Sequence, residues 1–269
     1  MKKILKFIII LALTMGFVLA TETLASISIT AILSIRGIDF TSKDQALMAI
    51  SKYQVILGQL LRLALVFLYL KLRNKNHSNK PLKINYRGFS ANSWKMIVIG
   101  LGVAGFGNYI VSFLLAIIGH LPSIGNTLEQ FNQAFQMTSK LDFLLMLVGV
   151  VILAPISEEI LFRGIVFEKL KSSFSLEWSI ILSGLIFGIY HMNILQGVNT
   201  FIMGIVLAYV YYYRKNIVDP ILIHMVNNFF ALTAGLNETY AVFMSILSTI
   251  AIFVSIKYLK ELKASTKVK

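Results

Sequence analysis

At 269 residues, 57% hydrophobic and 14% charged, with a mean hydropathy of +0.77, the chain has more apolar surface than one soluble domain can bury, and it reads as a membrane protein. The lack of cysteine excludes disulfides, thiolate nucleophiles and thiolate metal sites together. A net charge of +13 would point to nucleic acid in a soluble protein, but here the basic residues sit in connectors and tails, so no nucleic-acid partner is expected.

A spanning helix needs about 20 largely apolar residues, and eight segments come close: residues 4–35, 46–70, 94–119, 141–169, 178–194, 198–213, 219–236 and 240–258. The expected fold class is therefore all-α, a polytopic transmembrane helical bundle of about eight helices. It forms a single domain over residues 1–269, since neither an internal repeat nor a long polar stretch divides it. The first segment is over-long and holds Glu22 near its middle without an assignable partner, which points to a tilt, a kink or an interfacial end. Residues 1–20 have the basic start, apolar middle and small residues of a cleavable signal peptide. Hydrophobicity resumes at once over 23–35, so a retained anchor is expected.

In the second segment, Lys52 and Arg62 read as charges that snorkel to the interface. The third contains Gly100, Gly102 and Gly105 in the dinucleotide spacing G-x-G-x-x-G. It lies in an apolar helix with no preceding strand, so close helix packing is the reading. Basic clusters then set the orientation. Lys2, Lys3 and Lys6 precede the first segment; Lys71, Arg73, Lys75, Lys80, Lys83, Arg87 and Lys95 fill a basic loop over 71–95; Lys260, Lys263, Lys267 and Lys269 fill a basic tail over 259–269. All fall on one side if eight helices cross, which makes both termini cytoplasmic. The loop, with Asn74, Asn76, Asn79 and Asn85, reads as a solvated connector that touches anionic lipid head groups.

The fourth segment contains Pro155-Ile156-Ser157-Glu158-Glu159-Ile160-Leu161-Phe162-Arg163, three ionisable groups inside an aliphatic run. An ionised side chain at the bilayer centre costs about 2.5–3.5 kcal/mol on insertion scales, so such groups face a protein interior or a wet cavity. Glu159 and Arg163 are i,i+4 neighbours with the acid first, the favoured order for an ion pair. Glu158 projects about 100° away and is free for a partner across the bundle. Pro155 withholds a backbone donor just ahead of the acids. On the fifth segment Phe187 and His191 share a face, behind a Gly184/Gly188 pair that admits a close neighbour; on the seventh, His224 and Asn228 share one. Each has an ordinary reading too: a structural ion pair, an interhelical hydrogen bond, packing histidines, a packing Phe187, or Asn227 and Asn228 as polar glue. His77 and His120 fall in loops and look incidental. Counting along the helices puts Glu158 and His191 at similar depth and His224 nearer the cytoplasmic end.

Glu158-Glu159-x-x-x-Arg163, Phe187-x-x-x-His191 and His224-x-x-x-Asn228, in that order on three hydrophobic segments, resemble the three signatures of the CPBP, or Abi, family of intramembrane proteases, which includes the type II CAAX prenyl endopeptidases. The resemblance covers a motif-bearing core over 141–236. It implies an intramembrane endopeptidase in which Glu158 and His191 activate water, His224 and Asn228 stabilise the oxyanion, and Glu159, Arg163 and Phe187 support the site. A metal-free mechanism is favoured, because no H-E-x-x-H pair occurs. The alternative is a zinc ion on Glu158, His191 and His224 with one position left for water. A proton-coupled transporter using the same Glu and His residues is a competing function. So is a non-catalytic membrane interaction protein, and the resemblance adds bacteriocin immunity as one such role. The abundance of lysine, isoleucine and asparagine fits a bacterial plasma membrane, where the partners are lipids and a membrane-associated peptide or protein substrate.

Overall fold

The computed structural model describes residues 2–37, 43–77, 81–134, 137 and 139–267, and no strand occurs among them. Nine helices follow among the described residues: α1 (Lys2–Ile35), α2 (Lys43–Asn76), α3 (Trp94–Ile118), α4 (Pro122–Ala134), α5 (Lys140–Lys171), α6 (Leu176–Tyr190), α7 (Ile194–Arg214), α8 (Val218–Thr233) and α9 (Glu238–Lys267). Each of the eight expected segments appears as a helix, and the architecture is an all-α polytopic bundle. Six helices are long and apolar enough to cross a membrane: α1, α2 from Tyr53, α3, α5, α7 and α9 as far as Ala264. The two shorter ones, α6 with 15 residues and α8 with 16, extend only about 22–24 Å at 1.5 Å per residue. The addition is α4, whose 13 residues mix polar and apolar side chains and are too short to span. Asn79, Lys80 and Lys269, and the side chains of Lys52 and Lys267, lie outside the described residues.

Of the apolar window of α5, 56% is buried, against 17% for α1, which makes α5 the axis of the bundle and α1 an edge. The axis is not a uniform α-helix. It widens to π-helical turns over Leu147–Leu153 and Phe162–Phe167, on either side of the two glutamates. The first widening has a cause in Pro155, whose ring would collide with the carbonyl four residues earlier in a regular helix. The N–H of Ala154 reaches back five residues to the Gly149 oxygen. In that register the Val150 oxygen would meet the nitrogen of residue 155, which has no hydrogen; instead Asn228 on α8 donates its side-chain N–H to it at 2.9 Å. The backbone that Pro155 frees is thus satisfied by a neighbouring helix, as membrane burial demands.

Glycines set the closest helix contacts. A Cβ on Gly204 of α7 would lie 2.8 Å from the Gly184 Cα of α6, and one on Gly188 would lie 2.6 Å from the Gly197 oxygen. The Gly184/Gly188 pair therefore admits a neighbouring backbone as expected. Gly100, Gly102 and Gly105 likewise press α3 against Val226 of α8 and against Ala251, Ser255 and Ser248 of α9.

The basic loop departs from expectation. Asn74 folds back on Leu82, bonding both its N–H and its oxygen, and the segment 81–93 docks on the corner between α7 and α8. There the N–H of Ile217 donates to the Asn85 oxygen at 2.7 Å, the N–H of Arg87 to Asn216 Oδ1 at 3.0 Å, and Asn216 Nδ2 to the Gly88 oxygen at 2.9 Å. Fully buried Asp219 anchors the corner, with Arg214 Nε at 2.9 Å and Ser93 Oγ at 3.3 Å. The stretch stays largely exposed, yet it is held in place: side-chain amides bind its backbone, and the buried carboxylate accepts from the Ser93 hydroxyl.

Candidate active site

The residues around Glu158 come from five helices. Glu158 and Glu159 project from the α-helical stretch of α5 between its two π-helical turns; both are buried, Glu159 completely. As their angular separation requires, they have different partners. Glu159 Oε2 lies 3.0 Å from Arg163 Nε, off the in-line direction of a hydrogen bond, so the contact is one of charge. Its other oxygen, Oε1, is 3.0 Å from His224 Nδ1. Arg163, itself fully buried, donates through Nη2 to the Gly204 carbonyl at 3.2 Å and lies over the Phe187 ring at 4.8 Å. The Glu159/Arg163 pair is therefore present, and it also fixes an imidazole and the glycine contact between α6 and α7.

Glu158 is held more loosely, with Arg62 Nη1 at 3.7 Å from Oε1. Tyr190 donates its phenol O–H to Glu158 Oε1 at 3.1 Å; Oε2 lies 3.9 Å from His224 Nε2. With Nδ1 held by Glu159, His224 turns its Nε2 toward the other carboxylate. His191 sits at the C-terminal end of α6, where its Nδ1 meets the Phe187 carbonyl at 2.9 Å. This partner puts the proton on Nδ1 and leaves Nε2 of the neutral ring as an acceptor. The chain then turns sharply through Met192 at φ 49°, and Asn193 caps α7 by accepting from the N–H groups of Leu195 and Gln196. The fully buried Phe187 ring meets both imidazoles edge-on, at 5.1 Å for His191 and 5.7 Å for His224. Packing is its role, as expected, and one ring sets the relation between the two histidines.

Glu158, His191, His224 and Asn228 line one cavity of about 660 Å³, together with Tyr190 and Asn227. His224 nevertheless lies 3.0 Å from Glu159 and 3.9 Å from Glu158, so the depth offset counted from the sequence does not separate them. Asn228 is the link between helices, through its bond to Val150 of α5, and also stands in the cavity wall; Asn227 donates to its neighbour Asn228 Oδ1 at 3.2 Å on the same helix. Among the described residues no three His, Asp or Glu side chains converge closely enough to hold a metal ion. Glu158, His191 and His224 do not form such a group.

Sequence reasoning missed part of this environment. Arg62 does not snorkel: it is fully buried, paired with Glu22 of α1, and donates to Tyr190 Oη at 2.8 Å and Gln59 Oε1 at 3.0 Å. Glu22 thus has a partner, and Gln54 adds a second at 3.1 Å. Gln59 in turn accepts from Ser157. The signal was available, since two opposite charges inside consecutive apolar segments are expected to pair.

The chain is similar to known proteins over part of its length. Residues 140–230, from the start of α5 to near the end of α8, match the family described as type II CAAX prenyl endopeptidase Rce1-like. The chain is also similar to a Bacillus subtilis (strain 168) protein described as "Putative membrane peptidase YdiL", with 35% identity over 86 residues; the match spans 32% of this chain and 35% of that protein. No solved structure matches. The matched segment holds all three signatures, so over residues 140–230 the chain is similar to this family of membrane peptidases, while it spans about a third of the length of the curated relative.

Proposed function

We propose that the chain is an intramembrane endopeptidase of a bacterial plasma membrane that hydrolyses a membrane-associated peptide or protein, with both termini in the cytoplasm. The observation that carries this reading is a buried carboxylate, bound by the Tyr190 phenol, that shares one cavity with two imidazoles. In the proposed reaction Glu158 takes a proton from water, with His191 Nε2 as the second acceptor, and the oxygen attacks the carbonyl carbon of the scissile peptide bond. The tetrahedral oxyanion accepts hydrogen bonds from Asn228 Nδ2, which has a second N–H beyond the one given to Val150, and from Nε2–H of protonated His224. Each such donor contributes about 2.7–4 kcal/mol to the transition state. The proton then passes to the amide nitrogen as the C–N bond breaks, yielding a carboxylate and an amine. No serine, cysteine or acyl-enzyme is needed.

Comparative peptidomics of membranes holding the protein or its Glu158→Gln variant tests the reading. Peptides released only by the unsubstituted chain are expected. Identical peptide profiles from two equally inserted proteins would discard the peptidase and leave transport or binding.

A further inference from the structure

Five charged side chains of α1, α2 and α5 form a connected set: Arg62, Arg163, Glu22, Glu158 and Glu159, all buried except the partly exposed Glu22. Arg163 is matched by Glu159 and Arg62 by Glu22, while Arg62 stands farther from Glu158, at 3.7 Å. The match between Arg62 and Glu22 is built into α2. Gln54, Gly58 and Arg62 recur every four residues along one face. Gln54 Nε2 holds one oxygen of Glu22 at 3.1 Å and Arg62 Nη2 holds the other. A Cβ on Gly58 would stand 3.1 Å from the same carboxylate, so the glycine leaves it room. The remaining nitrogen of the guanidinium, Nη1, donates to Tyr190 Oη and lies 3.7 Å from Glu158 Oε1. Arg62 is therefore near enough to bind Glu158 directly, and it is turned away by Glu22.

Building on the peptidase reading, we propose that Glu22 and Arg62, both outside the family-matched segment, are positioning residues of the catalytic site. Arg62 aims the Tyr190 phenol at Glu158 Oε1, and Glu22 occupies Arg62 so that the guanidinium does not capture the carboxylate that must accept a proton. The first helix is thus part of the active site. Removal of the Glu22 charge alone lets Arg62 close on Glu158 and disable it; removal of both charges frees Glu158 again.

The test uses the full chain in phosphatidylethanolamine/phosphatidylglycerol liposomes with an internally quenched apolar peptide as probe. Glu22→Gln is expected to lose tenfold or more in kcat with KM unchanged, Glu22→Asp to recover much of the loss, and Glu22→Gln combined with Arg62→Gln to recover at least threefold over the single variant while staying below the unsubstituted rate, because Tyr190 is no longer aimed. A twofold or smaller effect of Glu22→Gln overturns the proposal, and so does a double variant as inactive as the single one, including a pair that fails to fold. Glu158→Gln runs alongside. Retained cleavage there defeats the peptidase reading itself, whereas its loss beside an active Glu22→Gln defeats only the role given to α1.

Discussion

Asn228 gives one N–H to the Val150 oxygen, an acceptor that Pro155 has left without a backbone donor. Asn228→Ala should therefore lose peptide cleavage and also about 1–3 kcal/mol of stability, the usual cost of a buried group left unpaired. Pro155→Ala supplies a backbone N–H in register with that oxygen. The double variant is expected to regain stability, read by tryptophan fluorescence during thermal unfolding in detergent, without regaining cleavage. Recovery of both would reduce Asn228 to a structural link. The adjacent glutamates should separate in the same measurement. Glu159→Gln strips Arg163 and His224 of their shared carboxylate and should cost about 3–5 kcal/mol, while Glu158→Gln, which keeps an oxygen for the Tyr190 phenol and gives up only the longer contacts at 3.7 and 3.9 Å, should unfold closer to the unsubstituted protein. That division of labour was legible in the sequence, because adjacent positions on a helix diverge by about 100°. The partnership of Glu22 with Arg62 was not read: opposite charges in consecutive apolar segments hint at it, but a separation of 40 positions fixes no geometry and only the packing of α1 on α2 does.

At the scale of helices, apolar length located eight segments and glycine spacing located the α6–α7 contact, for both depend on local composition. The π-helical turns of α5 were less legible. A proline announces that a carbonyl will be freed, but whether the helix kinks or widens depends on whether a neighbour such as Asn228 can reach it. The docking of 81–93 was hidden for a related reason: it uses main-chain groups held by Asn216, which no periodicity marks. The glycine contact supports a graded prediction. Gly204→Val must push α6 from α7 and disturb the carbonyl that holds Arg163, so it should lower stability by about 1–3 kcal/mol, as overpacking does. Gly16→Ala on α1 meets nothing within 4 Å and removes backbone freedom from a helix, so it should unfold at or slightly above the original temperature. Thermal unfolding of the two variants in one detergent decides this, and equal destabilisation would show that the α6–α7 approach is not a constraint.

Across the whole molecule the cavity is one-sided. Besides the catalytic candidates it is lined by Asn108 in the second half of α3, Thr127 and Leu128 of α4, and Leu236 in the turn after α8. No residue of the 81–93 segment or of the turn at 215–217 lines it. Lys169 and Lys171 at the end of α5, Arg214 and Lys215 after α7, and the start of α1 share the end of the bundle to which that basic segment belongs. Because lysine and arginine mark the cytoplasmic face, the cavity should reach the opposite, external face, and a substrate should approach from there. A chain without cysteine makes this directly measurable. Leu236, 55% exposed beside the cavity, and Tyr86, 75% exposed in the basic segment, are suited to single-cysteine variants. A membrane-impermeant maleimide should label Leu236→Cys in intact bacterial cells and Tyr86→Cys only after the membrane is opened. The reverse pattern would place the basic segment outside, and the route to Glu158 would then start in the cytoplasm, with the same helices and the same site serving a different population of substrates.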